Sequence, residues 1–199
     1  MKKYQLNRGV VKGILDLCDD EGIFRKDFKG SLQIGFTELY GNNIFSIHSD
    51  IISYLFFTQV EFKIFYAENY FIEDSEEKMF KALKKLHDFD IYEMANDYGV
   101  DVEVLGIIFS FLHEIFHMKQ YLDMIHKDES LNELTERTKH LYDEVDKLER
   151  NGQDGSLLYR SIPQERFADL GAIIFLVDHI GELIDIVRYN VKVVELEEI

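Results

Sequence analysis

His113, Glu114 and His117 are the residues of this chain whose types and spacing suit catalytic chemistry: two imidazoles four positions apart, with a carboxylate directly after the first. On a helix turning roughly 100° per residue the two imidazoles lie about 40° apart and one turn along, so both can reach one metal ion. Glu114 falls about 100° round from His113, clear of the coordination positions and placed to accept a proton from water. Apolar residues crowd both sides (Ile107, Ile108, Phe109, Phe111, Leu112, Ile115 and Phe116), and no helix breaker lies between Gly106 and Tyr121. The segment therefore reads as a largely buried helix. Its two imidazoles and its carboxylate then need partners, because an unpaired buried carboxylate costs several kcal/mol.

A zinc site needs a third protein ligand. Asp123, six residues after His117, is one candidate, but position 120 is glutamine where a turn would call for glycine. A continuing helix carries Asp123 to about 240° from His117 and out of reach. The better candidate lies downstream. Pro163 is the only proline in the chain and suits the first turn of a helix, with Ser161 just ahead as a cap. That helix places Glu165 and Asp169 four apart on one face. Glu165 is the expected third ligand, and Asp169 the carboxylate that fixes a ligating histidine by accepting a hydrogen bond from its other ring nitrogen. The same acidic residues also suit a helix N-terminus through the dipole alone.

His113-Glu114-x-x-His117, followed by Glu165-x-x-Ala168-Asp169-x-x-Ala172, resembles the gluzincin class of zinc metallopeptidases. In compactness, and in lacking an evident membrane span, the chain looks most like the ImmA/IrrE-type peptidases of bacteria and mobile elements. The resemblance covers the two motif helices, about a third of the chain. It implies a zincin-like helical core, Zn2+ as cofactor, His113, His117 and Glu165 as ligands, Glu114 as catalytic base, and a protein or peptide substrate. It also implies a sheet edge beside the motif helix that can pair with an extended substrate.

Composition bears on the class. The 199 residues, 46% of them hydrophobic, suit one domain with a substantial core. One cysteine excludes an internal disulfide, and Cys18 reads as a small, partly buried residue. There is no N-terminal apolar run behind a basic start, and no stretch of about 18 apolar residues occurs, so the expected location is the cytoplasm, without membrane association. A formal net charge of −16 argues against binding nucleic acid. Ala95, Gly99 and Leu105 have the spacing of a helix-turn-helix, but the would-be recognition helix carries Asp101 and Glu103 and no basic residue where phosphates would be met.

The elements that must position the site read as α+β in a single domain over 1–199. Tyr4 to Leu17 has amphipathic helical spacing. Ser31 to Tyr40, the turn signal Gly41-Asn42-Asn43, Ile44 to His48 and the β-branched and aromatic run from Ile51 to Tyr66 suggest a small antiparallel sheet, although Ile51 to Thr58 also suits a buried helix. Helices are expected over Glu76 to His87 and Ile91 to Asp97, with Asp101 capping the motif helix. Residues 127–156 read as a surface helical insertion and loop that could cover a cleft. Within or beside it, His126, His140 and Tyr142 are candidate donors to an oxyanion. His179 reads as a packed or exposed histidine, and Val191 to Glu195 as a short strand. The alternative to an enzyme is a catalytically inactive zincin-like module that keeps a structural metal and binds a partner.

Overall fold

The computed structural model describes residues 8–24, 76–124 and 136–191; of these, 84% are helical and none lies in a strand. Among the described residues the expected α+β fold with a small antiparallel sheet is therefore corrected to a helical one. The apolar run read as a buried helix is one: Ile107, Ile108, Phe109 and Phe111 are all fully buried and all lie in one helix. The stretches 31–48 and 51–66, and the end at 192–195, lie outside the described residues.

The chain forms two compact units, one of residues 1–71 with 179–199, the other Ile72–Asp178. In the first, α1 (Arg8–Asp20) buries Val10, Val11, Ile14, Leu15 and Cys18, and α8 (Ile180–Asn190) buries Ile180, Leu183, Ile184 and Val187. Each is an apolar stripe at helical spacing. The two approach closely at Gly13, where an added Cβ would stand 2.7 Å from Ile186 Cγ2. Burial pushes the Cys18 thiol well up, which suits a packing residue and not a nucleophile. His179 precedes α8 and lies 4.0 Å from Glu21.

The second unit comprises α2 (Asp74–His87), α3 (Ile91–Asp97), α4 (Val102–His126), α5 (Leu131–Arg150), α6 (Ser156–Ser161) and α7 (Pro163–Asp178). The central helix α4 is apolar nearly all round: Leu105, Ile107, Ile108, Phe109, Phe111, Leu112, Ile115 and Met118 have no exposure. Such a helix must be surrounded. Ahead of it, the Asp90 carboxylate accepts from the amides of Tyr92 and Glu93 and caps α3, and Gly99, at φ 58°, makes the turn between α3 and α4.

The packing of α4 on α7 positions the site. Ala168 and Ala172 are fully buried on α7, and at Gly171 an added Cβ would stand 2.2 Å from Phe116 Cδ1 and 2.5 Å from its Cγ. Phe116 in turn meets Phe175 edge to face at 6.3 Å. Gly171→Ala should therefore destabilise, although alanine is the better helix former by about 0.8–1 kcal/mol. Moving the Phe116 ring costs typically 1–3 kcal/mol and sometimes more, so we expect a net loss of roughly 1–2 kcal/mol in urea unfolding, with metal uptake also weakened. An unchanged midpoint would mean that the two helices are less tightly apposed than this.

Pro163 opens α7, and Arg166 N donates to Ile162 O at 2.8 Å in its first turn. Ser161 is not its cap. It ends α6, and its hydroxyl donates to Leu158 O at 2.7 Å, so the residue between the helices is Ile162, fully buried.

Candidate metal centre

Three of the four members of this site come from α4 and one from α7. His113 and His117 stand one turn apart on α4, with ring centroids 4.6 Å apart and rings nearly perpendicular. Their Nε2 atoms are 3.1 Å from each other. Glu165, in the first turn of α7, places Oε2 3.2 Å from His113 Nε2 and 3.4 Å from His117 Nε2. His113 and Glu165 are buried, and the His117 side chain is 17% exposed, so the group is reachable from one side.

These side chains can together hold a metal ion. Donors at about 2.0–2.1 Å from a tetrahedral ion lie about 3.3–3.4 Å from one another, close to the three separations observed. Formal charge agrees. Three carboxylates (Glu114, Glu165 and Asp169) against the single guanidinium of Arg160 leave two negative charges over when the imidazoles are neutral, and a divalent cation balances them.

A network behind the ligands fixes His113. Asp169 lies one turn after Glu165, fully buried, with Oδ1 2.9 Å from His113 Nδ1. Arg160, at the end of α6, lies 2.6 Å from the same oxygen and 3.2 Å from His113 Nδ1. A guanidinium only donates, so it bonds to Nδ1 only if that nitrogen is bare. The shorter contact with the carboxylate favours a proton on Nδ1 donated to Asp169, which leaves the Nε2 lone pair facing the ligand group. On the other side of Asp169, the buried His87 places Nε2 3.6 Å from Oδ2, too long for a hydrogen bond.

The electrostatics favour positive charge between the ligands. Burial opposes ionisation of Glu165, but its close contacts with the His113 and His117 imidazoles outweigh it and hold the carboxyl far below the usual carboxylate range. Burial and the Arg160 charge both oppose protonation of His113, yet its bonds to Asp169 and Glu165 hold the imidazole above its ordinary value. Glu114, although coupled electrostatically to both imidazoles, is not one of the three ligand-type residues. Burial lifts its carboxyl above the ordinary value, against the imidazoles that pull it down.

Of the other residues singled out in the sequence, Asp123 is paired with Lys119 at 2.7 Å on its own helix and is not among the ligand group. Tyr142, on α5, donates to Glu165 Oε1 at 2.8 Å. Thr138, also on α5, accepts from Gln164 Nε2 at 2.6 Å, so this helix is tied to α7 at two points. His140 is exposed, His179 belongs to the first unit, and the side chain of His126 lies outside the described residues. Sequence reasoning did not single out Arg160, His87 or Tyr159. Arg160 sits 47 positions from His113, and no local pattern links them.

Among the described residues, no helix is long and apolar enough to cross a membrane. No protein-family profile matches the chain, and no curated protein or solved structure is significantly similar to it.

Proposed function

We propose that this chain is a zinc-dependent metallopeptidase that hydrolyses a peptide bond in a specific intracellular protein. The observation that carries this reading is the convergence of His113, His117 and Glu165 next to Glu114, a partly buried acid that stands outside the ligand group. Two imidazoles and one carboxylate suit zinc among the common divalent ions, and three protein ligands are the usual number where a coordination position is kept for a reactant.

When bound, zinc supplies Lewis acidity toward water and toward a peptide carbonyl oxygen. The chain's own residues do the rest. His113, His117 and Glu165 hold the ion, and Asp169 keeps His113 in the tautomer whose Nε2 can donate a lone pair. Glu114 accepts the proton of the attacking water and then passes it to the leaving amine as the C–N bond breaks. Its raised carboxyl makes it a stronger proton acceptor than an exposed glutamate. A formal charge of −16 supports protein over nucleic-acid or anionic membrane partners.

The test is the appearance of new protein N-termini, read by terminal labelling and mass spectrometry, when zinc-loaded protein is added to a whole-cell extract. A narrow set of cleavages is expected, lost with a chelator and restored by zinc. Stoichiometric zinc with no cleavage in extract or in a broad peptide library would overturn the peptidase reading in favour of a metal-bearing partner-binding module.

A further inference from the structure

The two oxygens of Glu165 face different neighbours. Oε2 is the atom within 3.4 Å of both histidine Nε2 atoms. Oε1 accepts the Tyr142 hydroxyl at 2.8 Å. The Tyr142 ring meets the Tyr159 ring edge to face at 6.1 Å. Tyr142 comes from α5, so an element outside the motif helices reaches the carboxylate.

A carboxylate can bind a metal through one oxygen or through both. Use of both fills one more coordination position, the position that hydrolytic chemistry needs for its reactant. An oxygen already accepting a phenol hydrogen bond has given up part of its donor capacity, and turning it toward the ion would break that bond in a half-buried setting.

We propose that Tyr142 is a positioning residue that keeps Glu165 a one-oxygen ligand and thereby preserves the open coordination position. The inference rests on the metal-centre reading above, but not on peptide cleavage. It makes the helix over Leu131–Arg150 part of the site's chemistry.

The experiment uses the full chain loaded with cobalt(II) as a spectroscopic stand-in for zinc. Tyr142→Phe should keep its metal, show a changed visible ligand-field spectrum as the second Glu165 oxygen enters the coordination shell, and bind azide roughly 10-fold more weakly, because that oxygen competes for the open position. Tyr159→Phe, with the Tyr142 bond in place, should keep the wild-type spectrum. A Tyr142→Phe protein with wild-type spectrum and azide affinity would overturn the inference while leaving the metal centre intact. Failure of the wild type to take up metal would overturn both. If Tyr142→Phe does not fold, X-ray absorption on the zinc-loaded wild type decides: one short carboxylate oxygen supports the inference, and two overturn it.

Discussion

Glu165→Ala protein is expected to lose its zinc on dialysis, while the wild type retains close to one equivalent. Protein zinc sites bind with about 10–16 kcal/mol in total, so losing one of three protein ligands removes roughly 3–5 kcal/mol, a weakening of about 10²–10⁴-fold. The loss is specific to the ligand carboxylate. Asp169→Asn leaves all three donor atoms in place and weakens the carboxylate's contacts with His113 Nδ1 and Arg160, for which a roughly 10–100-fold loss of metal affinity is expected. Elemental analysis after dialysis, with competition against a chromophoric chelator, separates the two. A Glu165→Ala protein that keeps a full equivalent would move the third ligand elsewhere and remove the basis for the peptidase reading.

Glu114→Gln should do the reverse, holding zinc within a few-fold of wild type while peptide hydrolysis falls by roughly 10²–10⁴. The amide has nearly the same shape as the acid but cannot accept the proton, and Glu114 is not a ligand, so binding and chemistry separate at this position. The pH profile adds a second reading. Glu114 acts as a base only when ionised, so the wild-type rate should fall as pH drops through its carboxyl value, which burial raises above the ordinary one. That acid limb should be missing from the residual rate of Glu114→Gln. A variant that turns over at the wild-type rate would take Glu114 out of proton transfer.

Much of the site was legible from local patterns because its key residues sit in regular relation along two helices. Spacing alone put His113 over His117 and Glu165 over Asp169, and the lone proline marked where α7 begins. Arg160 and His87 are different. They reach Asp169 from separate helices through tertiary packing, and an arginine or histidine at such a distance has no signature in a single sequence. Tyr142 drew notice as a donor, but its partner is the ligand Glu165, a fact that only the folding of α5 against α6 and α7 could supply. Fold class was the weaker inference. The sheet was expected from β-branched and aromatic residues over 31–48 and 51–66, outside the described residues, and such residues measure burial as much as extended backbone. Ser161 failed as a cap for a related reason: a short helix ends there, with only Ile162 before the next begins.

His113 and Glu165 stand 52 positions apart in the chain. An ion held by both ties two distant points together, as a covalent cross-link would, but one that is released when the unit unfolds. Its stabilisation then follows mass action, growing as the logarithm of free metal over the dissociation constant and reaching about 4 kcal/mol at a thousand-fold excess. Under this linkage the melting temperature of the Ile72–Asp178 unit is a gauge of the free metal around it. Metal scarcity would lower the unit's stability at the same time as it silenced the site.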